Sequence, residues 1–235
     1  MDVRKVVILN PKGGSGKTTL ATNLVAYYAL QGLLPALLDM DSQGSSTRWI
    51  GKRSGEWPRV HGLKGFGLPS NVTRSFALRP PPETRRLVVD TPAGLPRDEL
   101  REITRDAHRI LVPVMPSDID IHAATRCIAD LLLVAKIPRP DNRIAVVANR
   151  VKPNTLVFRS LMRFLTSLQI PVVGVLRDTQ NYVRAFEAGV GVHEMKGGTQ
   201  GRDVEQWETL LAWIEEGQVP VPEDLWSDPE ESRSA

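Results

Sequence analysis

The residues best suited to chemistry stand near the start of the chain, where Pro11-Lys12-Gly13-Gly14-Ser15-Gly16-Lys17-Thr18-Thr19 follows the apolar run Val3–Asn10. A stretch of helical period comes directly after. Glycines let backbone N–H groups converge on phosphate oxygens, and a helix N-terminus adds partial positive charge. In such a loop Lys17 reaches the β- and γ-phosphates, and the Thr18 hydroxyl ligates Mg²⁺. The usual G-x-x-x-x-G-K-[ST] pattern has a glycine where this chain has Pro11, and the loop reads K-G-G-x-G-K-T with a second lysine at Lys12. A cation that need not touch its own nucleotide is available to a neighbouring subunit's site. The plainer alternative is a Gly-rich turn with two exposed lysines. It leaves the coincidence of strand, glycines, lysine, threonine and helix without a reason.

Three aspartates stand where strand-like runs end: Asp39 and Asp41 after LLPALL, and Asp90 after RRLVV. In an open parallel sheet, ligand-binding residues cluster at the carboxyl ends of strands. Carboxylates there hold Mg²⁺ through its waters and orient an attacking water. Asp90 is the natural metal-side residue and Asp41 the natural one for the water. Each alone would read as a turn or cap residue.

The elements that must position these groups follow from periodicity. Strand-length apolar runs at Val3–Asn10, Leu33–Asp39, Arg86–Thr91, Arg109–Met115, Arg143–Asn149 and Val172–Leu176 alternate with helical stretches at Lys17–Gln31, Arg97–His108, Ile121–Ala135, Thr155–Leu168 and Val204–Glu215. Alternation of this kind specifies an α/β fold, a mostly parallel twisted sheet with helices on both faces. Runs such as RRLVVD and IAVVAN are apolar throughout, as strands covered on both faces must be. Segment 51–82, rich in Gly, Pro and Arg, reads as a surface excursion between two sheet strands. The chain of 235 residues suits one domain over 1–216, with 217–235 as an acidic, Pro-containing, frayed tail.

A single cysteine, Cys127, allows neither an internal disulfide nor a cysteine-based metal cluster. Neither a signal-peptide core nor a run long enough to span a membrane is visible, so a cytoplasmic location is expected. The net charge of +3 divides unevenly: residues 215–235 hold seven acidic residues and one arginine, a charge of −6, which leaves +9 for the rest. A basic body suits a polyanionic partner. Segment 143–202 carries nine Arg/Lys against three acidic residues, among them Arg159, Arg163, Arg177, Arg184, Lys196 and Arg202. Such side chains give phosphate contacts that carry no sequence information; a solvated surface is the plainer alternative.

The loop K-G-G-x-G-K-T, the second motif Asp39-Met40-Asp41-Ser42-Gln43, DTPAG at 90–94, VPVMPSDIDIHAA at 112–124, ANR at 148–150 and LRDTQNYVRAF at 176–186 together resemble the ParA/MinD family of deviant Walker A ATPases. The likeness covers nearly the whole chain and is greatest to short ParF-type partition ATPases without an N-terminal helix-turn-helix domain. Ser42 stands where the family motif D-x-D-P-Q has proline, a change expected to loosen the turn.

The resemblance implies a P-loop fold and an ATPase using ATP and Mg²⁺. It implies that Lys12 reaches the partner's nucleotide across a sandwich dimer and that residues Lys12 to Thr19 cradle the phosphates. Asp39 and Asp90 would support the metal with Thr18, Asp41 would orient the water, and Asn149, Arg150 and Asp178 would contact or frame adenine. It implies an ATP-dependent homodimer that binds nucleoid DNA non-specifically. Slow hydrolysis would be stimulated by a ParB-like or adaptor protein, so as to position a plasmid, chromosome or protein organelle such as a carboxysome. A MinD-like positioning switch is one alternative, although the acidic C-terminus disfavours membrane binding. An ATP-dependent ligase or synthetase on the same fold is the other.

Overall fold

The computed structural model describes residues 3–67, 78–152, 155–197, 200–221 and 225. Seven strands form one sheet: β1 (Arg4–Ile8), β2 (Ala36–Asp39), β3 (His61–Lys64), β4 (Arg86–Asp90), β5 (Arg109–Val114), β6 (Ile144–Val151) and β7 (Val172–Arg177). Their order is β3-β2-β4-β1-β5-β6-β7, and every pairing is parallel. The helices are α1 (Lys17–Leu30), α2 (Ser45–Lys52), α3 (Arg97–Thr104), α4 (Asp118–Leu133), α5 (Leu156–Ser167), α6 (Gln180–Ala188), α7 (Gly201–Glu205) and α8 (Glu208–Glu216).

Alternation along the strands builds two cores, one on each face of the sheet. In β1, Val7 and the following Leu9 enter one cluster with α3, α4 and α5, while Val6 and Ile8 enter the other with α1, α6 and α8. Strand residues opposed in this way find apolar cover on either side, which is why their sequence shows no polar alternation. Removing a fully buried side chain such as Leu24 or Leu111 from water contributes about 1.5–3 kcal/mol.

The order matters for function because β1 lies between β4 and β5. The chain leaves β1 toward β2 on one side and later fills β5 to β7 on the other. That reversal opens a crevice at the carboxyl ends of β1, β4 and β5. The register sets Ile8 beside Asp90 and Asp39 beside Asp90, so the P-loop and two aspartates emerge from adjacent strands.

Segment 51–82 is more regular than its composition suggests. α2 runs through its first residues, and β3 pairs with β2 along the sheet edge, with His61 opposite Ala36 and Lys64 opposite Asp39. His-Gly-Leu-Lys is too short and mixed to carry a period; Leu63 alone is buried in it. Gly62 packs under Ile50, whose Cδ1 would have to move for a Cβ to fit, since the two would lie 2.8 Å apart. Residues 68–77 of that segment lie outside the described residues, as does most of the expected tail, 222–224 and 226–235. Two helix expectations are also corrected. The helix from Arg97 stops at Thr104, because His108 N–H already donates to Lys5 O in the sheet. The final one divides into α7 and α8, and α6 is an element that the periodicity does not single out. Glu215, counted with the acidic end of the chain, faces inward and pairs with Arg86 at 2.5 Å and Arg4 at 3.3 Å.

Candidate functional site

The loop after β1 is shaped by glycine and by side-chain hydrogen bonds from its first residue. Gly14 and Gly16 have φ of +79° and +94°, the left-handed region that favours glycine. Gly16 is fixed doubly, since a Cβ would fall 2.0 Å from Asn149 Nδ2. Asn10 anchors the strand end: its Nδ2 donates to Pro113 O at 2.7 Å, and its Oδ1 accepts from Lys12 N–H at 2.8 Å. α1 then begins at Gly16 with no side-chain cap and no acidic residue in its first turn. By contrast α4, α5 and α6 are capped by Ser117, Thr155 and Thr179. The first N–H groups of α1 therefore lack a side-chain acceptor, and the helix end is open to an anion. Nothing lies within 4 Å of where Cβ atoms on Gly13 and Gly14 would stand, so the loop leaves room for phosphate oxygens. Ser15 is fully buried, and its hydroxyl has no partner.

Both lysines are held close. Lys17 is buried and donates to Asn10 O at 3.0 Å and Lys12 O at 3.1 Å. Burial pulls its pKa below the ordinary lysine value, opposed by Asp90 and Asp41. Lys12 points to α4, where its Nζ meets Asp120 Oδ2 at 2.5 Å. Asp120 is completely buried, also accepts from the Ser117 hydroxyl, and leaves Oδ1 without a partner. The second lysine thus has a partner within its own protomer that sequence reasoning missed. Ser117-x-x-Asp120 at the start of a helix was a visible signal, but a signal for capping.

The aspartates converge as their register dictates. Thr18 Oγ1 donates to Asp90 Oδ2 at 2.8 Å, and Ser46 Oγ donates to the same atom at 2.7 Å. Asp90 Oδ1 is buried and unpartnered. Burial raises the Asp90 pKa to about 6, with the hydroxyls of Ser46 and Thr18 pulling the other way and Asp39 adding repulsion. A buried carboxylate with one bare oxygen beside the P-loop threonine is what a Mg²⁺ hydration shell would complete. Asp39 is differently placed. Its oxygens accept from Asp41 N–H at 3.1 Å, Thr47 N–H at 2.7 Å and Thr47 Oγ1 at 2.8 Å, tying β2 to the start of α2. Asp41 is part-exposed, and its Oδ1 accepts from Gln43 N–H at 2.9 Å. Gly44 N–H closes the same turn on Asp41 O at 2.8 Å, so with serine at position 42 the turn is still hydrogen-bonded twice.

On the other side of the loop a cleft of about 340 Å³ is lined by Gly14, Gly16, Thr19, Arg150, Asp178 and Phe186, among others. Asn149 frames it from beneath, donating to Ser15 O at 2.9 Å and accepting from Arg150 N–H at 3.0 Å. Arg150 adopts φ +52° and pairs with Asp178 at 3.2 Å. Its lining joins apolar Val183 and Phe186 to the loop glycines, so a base could sit beside the phosphate end.

The six basic residues expected to face DNA do not gather. Arg159 and Arg163 belong to α5 in one helical layer, and Arg184 belongs to α6 in the other. Arg177 is turned inward to a pair with buried Asp203. Lys196 lies over the Trp57 ring at 6.0 Å, and Arg202 is exposed on α7. Among the described residues no helix is long and apolar enough to cross a membrane, and no cluster of three or more His, Cys, Asp or Glu could hold a metal by itself.

Comparison with known proteins gives this geometry its relatives. Residues 6–192 match the model of the CobQ/CobB/MinD/ParA nucleotide binding domain. Maintenance of carboxysome distribution protein A of Halothiobacillus neapolitanus is 29% identical over 205 residues, 84% of this chain and 89% of that protein. The chromosome-partitioning ATPase Soj of Thermus thermophilus is 42% identical over 106 residues, 44% of this chain and 42% of that protein. Among solved structures, the MinD cell division protein of Aquifex aeolicus superposes with a TM-score of 0.67 at 19% identity, covering 94% of this chain and 99% of that one.

Proposed function

This chain belongs to the CobQ/CobB/MinD/ParA nucleotide-binding family, and we propose that it is a ParA-like ATPase that pairs in an ATP-dependent sandwich and positions a cargo. The observation that carries the reading is the meeting of three groups at one strand end: the two-lysine loop, the uncapped start of α1, and the contact of Thr18 with Asp90 at 2.8 Å. Residues 1–216 form the ATPase unit and 217–235 its tail.

ATP binds with its phosphates on the N–H groups of Gly13 to Thr19 and its adenine in the cleft framed by Asn149, Arg150 and Asp178. Lys17, released from Asn10 O and Lys12 O, turns to the phosphates. Thr18 and Asp90 are the residues that would hold Mg²⁺, with Asp39 supporting them by fixing the start of α2; the metal, when bound, offsets phosphate charge. Asp41, part-exposed and near Lys17, orients the attacking water in line with the γ-phosphate. Lys12 completes the partner's site, which requires it to leave Asp120. A bridging lysine of this kind makes dimerisation depend on the γ-phosphate, since that is the charge it would neutralise.

Similarity to the carboxysome distribution protein and to Soj supports positioning of a cargo, and nucleoid DNA is the surface proposed for it. Exposed Arg184 on α6 and Arg202 on α7, which share one helical layer, are the basic side chains best placed to meet DNA phosphates together. The cargo partner would be a ParB-like or adaptor protein that stimulates slow turnover. The deciding experiment is a DNA-binding titration with ATP, ADP and no nucleotide, run beside light scattering of the same samples. Dimers and DNA binding that appear with ATP alone support the switch; binding that ignores nucleotide sinks it.

A further inference from the structure

Ser46 belongs to neither the P-loop nor a strand end, yet its hydroxyl reaches the centre of the site. It is the second residue of α2, fully buried, and donates to Asp90 Oδ2 at 2.7 Å. That oxygen also takes the Thr18 hydroxyl at 2.8 Å, while Oδ1 has no protein partner. A carboxylate held by two donors on one oxygen cannot rotate freely about χ2, and the bare oxygen is the one left for another cation or its waters.

The next residue performs the matching task on the neighbouring strand. Thr47 binds Asp39 through N–H at 2.7 Å and Oγ1 at 2.8 Å. Asp39 and Asp90 are register partners on β2 and β4, and the repulsion between them adds to the rise in the Asp90 pKa. Consecutive hydroxyls on one helix start therefore fix two like charges that the sheet forces side by side.

We propose that Ser46 is a positioning residue for Mg²⁺, acting through Asp90 by fixing which carboxylate oxygen is presented. This rests on the reading of the loop as a MgATP site and adds to it a residue from α2. Ser46 thereby links Asp90 to the turn that starts at Asp41, five residues before it, which carries the water-orienting carboxylate.

The test is a Mg²⁺ titration of the full chain with a fluorescent ATP analogue, comparing wild type with Ser46→Ala and Ser46→Cys. A hydrogen bond to a charged group commonly carries about a tenfold effect on an equilibrium. Ser46→Ala should raise the half-saturating Mg²⁺ about tenfold while affinity for the analogue in EDTA stays within about twofold. Ser46→Cys, near in size but a weak donor, should fall between. A purely structural role for Ser46 predicts equal losses with and without metal, and that result overturns the proposal, as does an unchanged Mg²⁺ requirement. Circular dichroism of both variants guards against misfolding; if Ser46→Ala unfolds, the Ser46→Cys titration decides alone. Absence of any Mg²⁺ effect in wild type would instead count against the MgATP reading itself.

Discussion

Asp90→Asn should stabilise the metal-free, nucleotide-free protein near neutral pH, because Asp90 is a charge that the empty fold holds at a cost. Its pKa rises from 3.8 to about 6 on folding, chiefly through burial. At about 1.4 kcal/mol per unit, that is about 3 kcal/mol of strain once the group is ionised. The direction follows from proton binding: the folded state holds more protons than the unfolded state between pH 3.8 and about 6. Stability from this group is therefore full below pH 3.8 and lost as pH rises through 6. Asparagine keeps an acceptor for Thr18 and Ser46, but it places an N–H where Oδ1 has no partner, a loss of about 1–2 kcal/mol. The net gain at pH 7 is then about 1–2 kcal/mol, and the difference between variant and wild type should grow by about 2 kcal/mol from pH 4 to pH 7. His193 runs the opposite way. Burial lowers its pKa to about 4, so its contribution is present above pH 6.5 and lost as pH falls. It is common to both proteins and cancels in the difference. Urea unfolding in EDTA at half-unit pH steps reads the effect. Parallel curves for the two proteins would falsify the account of Asp90 as a strained ion awaiting a cation. With MgATP the order should reverse, since wild type then gains more from ligand.

Other substitutions probe the remaining parts of the site. Lys12→Ala should abolish ATP-dependent dimerisation in light scattering while leaving nucleotide affinity within about threefold; unchanged dimerisation would remove the cross-subunit role. Gly16→Ala meets φ +94° and the Asn149 amide at 2.0 Å, and should lower nucleotide affinity at least tenfold and the melting temperature with it. Cys127 is buried, and its thiol is pushed up to about 12. Iodoacetamide at pH 8 should leave the native protein unmodified and label it fully in urea. Glu194→Ala removes the carboxylate paired with Arg53, whose guanidinium then keeps, among the described residues, only the Pro58 and Gly189 carbonyls as acceptors, and should destabilise the fold by about 3 kcal/mol in urea unfolding.

What could be read before folding was what is local. Lys12 to Thr19 is a contiguous word between a strand and a helix, and Asp39 and Asp90 close apolar runs, so their types and positions carry the meaning. The missed partners answer to the sheet instead. Ser46 meets Asp90 across 44 residues, and Lys12 meets Asp120 across 108. Nothing in Ser45-Ser46-Thr47 itself says that two carboxylates will lie above it. The strand at His61–Lys64 was hidden for the same reason: it is a strand because β2 offers it an edge. The basic residues 159–202 look like one cluster in the chain, but β7 intervenes between α5 and α6, which lie on opposite faces of the sheet.

The pair between Lys12 and Asp120 carries a consequence for time as well as for energy. A lysine that serves the neighbouring protomer must first open a contact at 2.5 Å and leave behind a carboxylate that is fully buried. Such a group stays paired through most encounters, so the meeting of two protomers succeeds only in the brief intervals when the pair is open. On the reading that Lys12 crosses, assembly is gated by a motion within one molecule instead of by diffusion. A delay between loading nucleotide and pairing follows.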